Sequence, residues 1–253
     1  MCMHKKMKDK ITEAAHLIVE SSYLSALTGA GISVESGIPP FRGKNGLWSK
    51  YDPGLFELSY FAAHPEESWE LLKKLFFETF KDSKPHEAHY VLARLEERDL
   101  LKILITQNID GLHYAAGNRN IIEYHGNTRS LTCLSCRRQY ETTEEKIKDL
   151  PPLCECGGIL KPDIIFFGEE IPGSALFGVQ EAVEKTDVMI VIGTTGEVFP
   201  ASLIPVEAKR RGARIIEVNT KLSSFSYDTT DIFLQGLASK VMHELEKEIN
   251  GLL

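Results

Sequence analysis

The chain has no long apolar run and, behind its lysine-rich start MCMHKKMKDK, no small-residue cleavage site, so no segment of it reads as a membrane span or export signal. A cytoplasmic protein is expected. Basic residues are the minority: 29 Lys and Arg against 36 Asp and Glu leave a formal charge of -7. That balance argues against holding nucleic acid through a broad basic footprint and suits cationic partners better. Cysteine is scarce and unevenly placed. Of the five cysteines, four fall between Cys133 and Cys156 and the fifth is Cys2, which reads as a metal cluster in a reducing compartment rather than a disulfide framework. Internal repeats and low-complexity stretches are missing as well.

What is present suffices for one good-sized core with a small satellite, since the 253 residues are 43% hydrophobic and burial grows with chain length. Strand-like runs occur at YLSALTG, LLKILIT, NIIEYH, DIIFF, DVMIVIG, ARIIEVN and DIFLQG, with helical patterns such as HEAHYVLARLEERD, SALFGVQEAVEKT and ASKVMHELEKEI between most of them. This alternation predicts an α/β fold whose parallel sheet is covered on both faces and binds ligands at the carboxyl ends of its strands. Functional loops are expected after Leu27, Ile105, Ile192 and Val218. Two segments interrupt the alternation, one carrying the helix-like EESWELLKKLFFETF and one the cysteines. The expected organisation is a Rossmann-like domain of residues 1–44, 86–125 and 162–253 with a smaller zinc-binding and helical insertion domain, built from a helical insertion at 45–85 and a zinc-binding module at 126–161. The cleft between them is the natural active site.

In ALTGAGISVESGIPPFRG one expected residue is missing. Thr28-Gly29-Ala30-Gly31 follows a strand, and glycines there let the backbone approach a pyrophosphate. Position 34, where a full dinucleotide fingerprint wants a third glycine, holds Val34, so the turn alone also suits a junction without a ligand. Gly37, Pro39 and Pro40 then stop any helix and send Phe41, Arg42 and Gly43 out as an irregular loop. The next strong strand ends in Thr106-Gln107-Asn108-Ile109-Asp110-Gly111-Leu112-His113. Amides and a carboxylate in that place can fix a ribose and a carboxamide, although Asp110 equally suits a cap for the following helix. His125 ends the next strand, where an imidazole with an ordinary pKa of about 6.5 can take a proton at neutral pH. A structural histidine fits the same position. Cys133-x-x-Cys136 and Cys154-x-Cys156 stand seventeen residues apart and supply four thiolates for a closed, structural zinc site, the second knuckle being tighter than the usual C-x-x-C.

GAGISVESGIPPFRG, TQNIDGLH, YHGN, the cysteine quartet, KPDIIFFGEEIP and the late VNT together resemble the sirtuins, the NAD-dependent protein lysine deacylases, from about Ser21 to Ala238 and in the family order. The resemblance implies that Gly29, Ala30, Gly31, Phe41 and Arg42 embrace NAD, and that Gln107, Asn108, Ile109 and Asp110 hold its ribose and nicotinamide. It further implies that Gly193, Thr194 and Thr195 meet phosphate and ribose, Asn219 the adenosine ribose and Ala238 the adenine. His125 takes the general-base role, with Asn108 beside it in catalysis. Acylated-lysine proteins or peptides are the implied substrates, bound by strand addition between Ile165, Phe166, Phe167, Gly168 and Glu169 on one side and Gly196, Glu197 and Val198 on the other.

The last segment departs from the family's pattern. The chain reads Gly193-Thr194-Thr195-Gly196-Glu197-Val198-Phe199-Pro200, so Gly196 removes a side chain and weaker peptide binding is expected. A tyrosine and an arginine that would recognise acidic acyl groups are replaced, by alignment from Pro65, by Leu72 and Leu75. Acetyl and longer aliphatic acyl groups are therefore the expected cargo. A mono-ADP-ribosyltransferase using the same bound NAD is the alternative reading. A dehydrogenase is disfavoured by the missing third glycine, and a zinc-ribbon nucleic-acid module by the acidic balance.

Overall fold

A computed structural model describes residues 2–42 and 46–253, without the side chains of residues 2–5; Gly43 and the expected domain boundary at 44 and 45 lie outside the described residues. In chain order the strands are β1 (Leu24–Thr28), β2 (Leu101–Thr106), β3 (Ile121–Glu123), β4 (Gly126–Cys133), β5 (Gln139–Glu141), β6 (Leu160–Ile164), β7 (Val188–Ile192), β8 (Arg214–Asn219) and β9 (Ile232–Gln235). The helices are α1 (Cys2–Glu20), α2 (Leu58–Ala63), α3 (Pro65–Leu72), α4 (Glu78–Lys81), α5 (Glu87–Glu97), α6 (Leu112–Ala116), α7 (Gly173–Lys185), α8 (Leu203–Arg210) and α9 (Ala238–Leu252). No helix among the described residues is long and apolar enough to cross a membrane.

LSALT and VMIVI are completely buried on both faces, the pattern of central parallel strands. They sit side by side in a six-stranded parallel sheet of order β3-β2-β1-β7-β8-β9. On one face, Ile11, Leu92, Met242 and Leu245 from α1, α5 and α9 cover Ala26, Ile190 and Ile216. On the other, Val179, Val183, Ile204 and Ala208 from α7 and α8 cover Leu27, Val191 and Ile215. The strand order reverses between β1 and β7, and the crevice beyond their carboxyl ends is where such sheets bind ligands.

A smaller antiparallel sheet of order β5-β4-β6 carries the cysteines. It does not fold apart from the helical insertion. Phe61, Trp69 and Leu72 from the insertion share one buried cluster with Leu131, Leu160 and Ile164 from the small sheet, and the Trp69 indole N–H donates to the Leu160 carbonyl at 2.8 Å. Insertion and cysteine module thus form one lobe over the strand ends.

Two local readings differ from the sequence expectation. DIIFF is no strand of the main sheet: β6 ends at Ile164 and pairs with β4 across Gly126 and Ile164, and it spans the expected boundary at 161 and 162. Alternation is a local signal, and partner choice is not. SWELLKKLFF is helical as expected, but Lys73–Phe77 is a π-helical turn, a rare widening that tends to accompany functional sites.

Candidate active site

Three glycines explain how β1 and β7 meet at the switch point. Gly29 N–H donates to the Ile192 carbonyl at 2.9 Å and Gly31 N–H to the Gly193 carbonyl at 2.7 Å. A Cβ on Gly31 would stand 2.6 Å from that carbonyl oxygen, and Gly193 has φ +64, so neither position accepts a side chain without displacing the other strand's turn. The chain then continues as a 3-10 helix, Ala30–Ser36, closed by Gly37 at φ 88. Here lies the physical reason for Val34: a short tight helix does not need the third glycine that closes a long helix onto a strand.

Above these turns opens a cavity of 330 Å³ between the sheet and the smaller lobe. Gly29, Ala30, Gly31, Gln107, Asn108 and Ile109 line its floor with Gly193, Thr194, Thr195 and Asn219. The loops are tied together by their own polar groups. Gln107 Nε2 donates to Thr194 Oγ1 at 3.3 Å and Asn219 Nδ2 to the Thr194 carbonyl at 2.9 Å. Asn108 is 5% exposed and donates from Nδ2 to the Gly29 carbonyl at 3.2 Å and to Ser33 Oγ at 3.1 Å. Both donors are spent, so Oδ1 is what Asn108 offers a ligand. Ser33 Oγ in turn donates to Asp110 Oδ2 at 2.7 Å, while Asp110 Oδ1 caps Leu112 N–H at 2.9 Å. Burial raises the Asp110 carboxyl above its ordinary pKa. Asp110 lines a smaller adjoining cavity with Ser33, Leu75 and Phe76, so it caps its helix and faces a pocket at once. Nothing in the sequence marked Ser33, because its role depends on Asn108 and Asp110 arriving from another loop.

His125 lines the main cavity, and its Nδ1 lies 3.2 Å from the Gln107 carbonyl. A carbonyl only accepts, so Nδ1 carries the hydrogen and Nε2 is the free base. Burial lowers its pKa below 6.5, with the Gln107 hydrogen bond opposing. Behind the floor, His113 Nε2 bonds Thr28 Oγ1 at 2.9 Å and His86 Nε2 bonds the Ile32 carbonyl at 2.5 Å. His89 packs between the two other imidazoles, fully buried.

The outer wall is aromatic. Phe41 lies 5.3 Å from Trp48 and 6.4 Å from Phe76, and Trp48 lies 5.0 Å from Phe56 and 5.9 Å from Phe167, ring centre to ring centre. Trp48 and Phe56 escaped the sequence reading because an aromatic in a helical insertion looks like core. Arg42 stands at the mouth, its Nε 3.4 Å from Glu197 Oε2.

Ile165, Phe166, Phe167, Gly168, Glu169 and Val198 also line the cavity, with differing freedom. The Glu169 carboxylate accepts from Phe166 N–H at 3.0 Å and from Lys161 Nζ at 3.1 Å, so it braces its own loop. Phe167 N–H donates to the Phe56 carbonyl and Leu58 N–H to the Phe167 carbonyl, at 2.9 and 3.0 Å, stapling the loop to the insertion. Gly196 has φ +71, and a Cβ there would stand 2.1 Å from Ser224 Oγ. The glycine is thus required by its neighbours. Gly196, Glu197 and Ala238 do not line this cavity; Ala238 is buried at the start of α9.

The four cysteine sulfurs lie within 4.8 Å of one another, with Cys133–Cys156 and Cys136–Cys154 both at 3.6 Å. Four thiolates about 2.3 Å from a tetrahedral zinc stand about 3.8 Å apart, so the quartet fits zinc despite its short C-x-C knuckle. Tyr140 Oη lies 3.1 Å from Cys154 Sγ, a hydrogen bond to a ligand sulfur of the kind that orients metal sites.

A family model described as "Sir2 family" matches residues 29–200. The chain is 41% identical over 248 residues to "NAD-dependent protein deacetylase 1" of Pyrobaculum aerophilum, covering 97% of each chain. Among solved structures it is similar to a Sir2 homolog–NAD complex, with TM-score 0.87, 41% identity and coverage of 95% and 94%. It is also similar to a complex described as Sir2–p53 peptide–NAD+, with TM-score 0.86, 36% identity and coverage of 95% and 98%.

Proposed function

The chain belongs to the Sir2 family, and on that premise we propose how its residues divide the work of NAD-dependent protein lysine deacetylation. It is an NAD-dependent enzyme of the deacetylase type; the mono-ADP-ribosyltransferase alternative gains no support from relatives named deacetylase. Bound NAD supplies the ribose carbon that nicotinamide leaves and the sugar that receives the acyl group. The polar groups in the cavity suit that ligand: amide side chains at Gln107 and Asn219, the Asn108 Oδ1 acceptor, hydroxyls at Thr194 and Thr195, and bare backbone at the glycines.

One observation carries the assignment of roles. His125 is held at Nδ1 by the Gln107 carbonyl, which leaves Nε2 as a neutral base on the cavity wall. That nitrogen takes the proton of a ribose hydroxyl and so prepares acyl transfer. Asn108 and the Ser33–Asp110 pair position the nicotinamide end through groups locked by their own hydrogen bonds. Phe41 and its aromatic neighbours keep water from the reacting centre. The four cysteines hold a structural zinc outside this chemistry.

The substrate is an acyl-lysine peptide joining by strand addition. Supporting this, Gly168 and Glu197 each leave both N–H and C=O without a protein partner among the described residues. Incubating the protein with an acetyl-lysine peptide, with and without NAD, tests the reading: acetyl loss that requires NAD supports it, and retention of the acetyl group with NAD present overturns it.

The acyl group passes along the aromatic wall. Phe76 lines the main cavity and Leu75 the smaller one, whereas Leu72 is core. Lys73 Nζ is bound to the Ile147 carbonyl at 2.9 Å and Lys74 is exposed, so neither serves an acidic acyl group. A buried, unpaired carboxylate costs several kcal/mol, while each added CH₂ gains about 0.8 kcal/mol. Acetyl- and longer aliphatic acyl-lysine peptides should therefore show higher kcat/KM than succinyl-lysine peptides of the same sequence. The reverse order would remove this specificity.

A further inference from the structure

Arg42, which lines the cavity on the loop after Pro40, pairs with Glu197, which lies just outside it on the turn between the lining residues Thr195 and Val198. Their side chains are 38% and 58% exposed, and each is the other's only ion-pair partner among the described residues. Among the described residues, Arg42 is also the only arginine or lysine lining the cavity. A pyrophosphate entering there meets Arg42, and that cation is engaged by Glu197.

The consequence follows from charge alone. An anionic ligand that draws Arg42 inward leaves Glu197 unpaired, on the residue whose backbone N–H and C=O are both free. Glu169 does not compete as a second acidic contact, since Lys161 and Phe166 N–H hold it. We propose that Glu197 is a specificity residue exchanged between two cations: Arg42 in the empty enzyme, and an arginine or unmodified lysine flanking the acyl-lysine once the pyrophosphate has taken Arg42. Each ligand then supplies the charge that the other's arrival uncovers, so NAD and a cationic peptide bind with positive coupling. The inference rests on the NAD-dependent deacylation proposed above and adds the substrate's charge and its link to the cofactor.

The test is a set of acetyl-lysine peptides with arginine, glutamine or glutamate placed in turn at each position flanking the acetyl-lysine. Peptide affinity is measured with and without NAD, alongside kcat/KM, for the wild type, Glu197→Gln and Glu197→Lys. With NAD present, arginine at one flanking position should improve wild-type affinity about fivefold over glutamine, the upper range for a solvent-exposed ion pair, and the gain should shrink without NAD and in high salt. Glu197→Gln should abolish the arginine preference, and Glu197→Lys should turn it into a glutamate preference. Equal affinity for all flanks in the wild type, or an arginine preference that survives both substitutions, overturns the proposal. Turnover of every acetyl peptide with no charge preference sinks this inference alone. NAD-dependent turnover of none of them sinks the deacylase reading, while the affinities still decide the role of Glu197.

Discussion

A histidine whose Nδ1–H is committed to the Gln107 carbonyl can exchange protons only at Nε2. Burial lowers the pKa of His125, so the base is already neutral at neutral pH and is lost only as pH falls through that lowered value. The acid limb of kcat/KM should therefore lie below 6.5, the ordinary histidine value. His125→Ala should reduce kcat/KM by about 10²- to 10⁴-fold while zinc content and melting temperature stay unchanged. A folded variant with near-normal turnover would take His125 out of the chemistry. At this scale the sequence was readable where a residue's role depends on its immediate neighbours, as for His125 at a strand end or the paired cysteines. It was not readable for Glu169 or Gly196. Their roles are fixed by Lys161 and Ser224, which arrive through tertiary structure.

Single elements carry two further consequences. Helix α5 buries His89 against His86 and His113, and burial, with the neighbouring histidines second, lowers His89 to about 2 and His113 to about 3. Unfolded, both titrate at 6.5. Above that pH both states are neutral and the pair has no effect. As pH falls below it, the unfolded chain takes up protons that the folded one refuses, and stability drops by about 1.4 kcal/mol per pH unit for each histidine. A denaturant series from pH 7 to pH 5 should show that slope, and His89→Gln should remove the His89 share while that of His113 remains. An unchanged slope would place the protonation elsewhere.

The cysteine sheet and the insertion share Trp69, so loss of zinc should be felt in both. Chelation should shift tryptophan fluorescence and lower the melting temperature together, and Tyr140→Phe, which removes the Cys154 hydrogen bond, should speed zinc loss about tenfold. Fluorescence and melting temperature that ignore chelation would separate the two elements. The sequence located both elements by composition and cysteine spacing. That they share one smaller domain was expected; the contact that joins them was not, because Trp69 and Leu160 stand 91 residues apart and leave no periodic trace.

For the whole molecule, the α/β architecture was legible because buried parallel strands and amphipathic helices alternate with distinct periods. The pairing of β6 with β4, the π-helical turn and the aromatic outer wall were not, since each depends on which surfaces meet. Brought together, the strand ends and the second lobe make a site that consumes NAD to free an acylated lysine. The most direct test counts products in one reaction containing the protein, NAD and an acetyl-lysine peptide. One nicotinamide should be released for each lysine freed, with the acetyl group recovered on ADP-ribose. Nicotinamide release with the peptide still acetylated and ADP-ribose attached to protein would contradict the account.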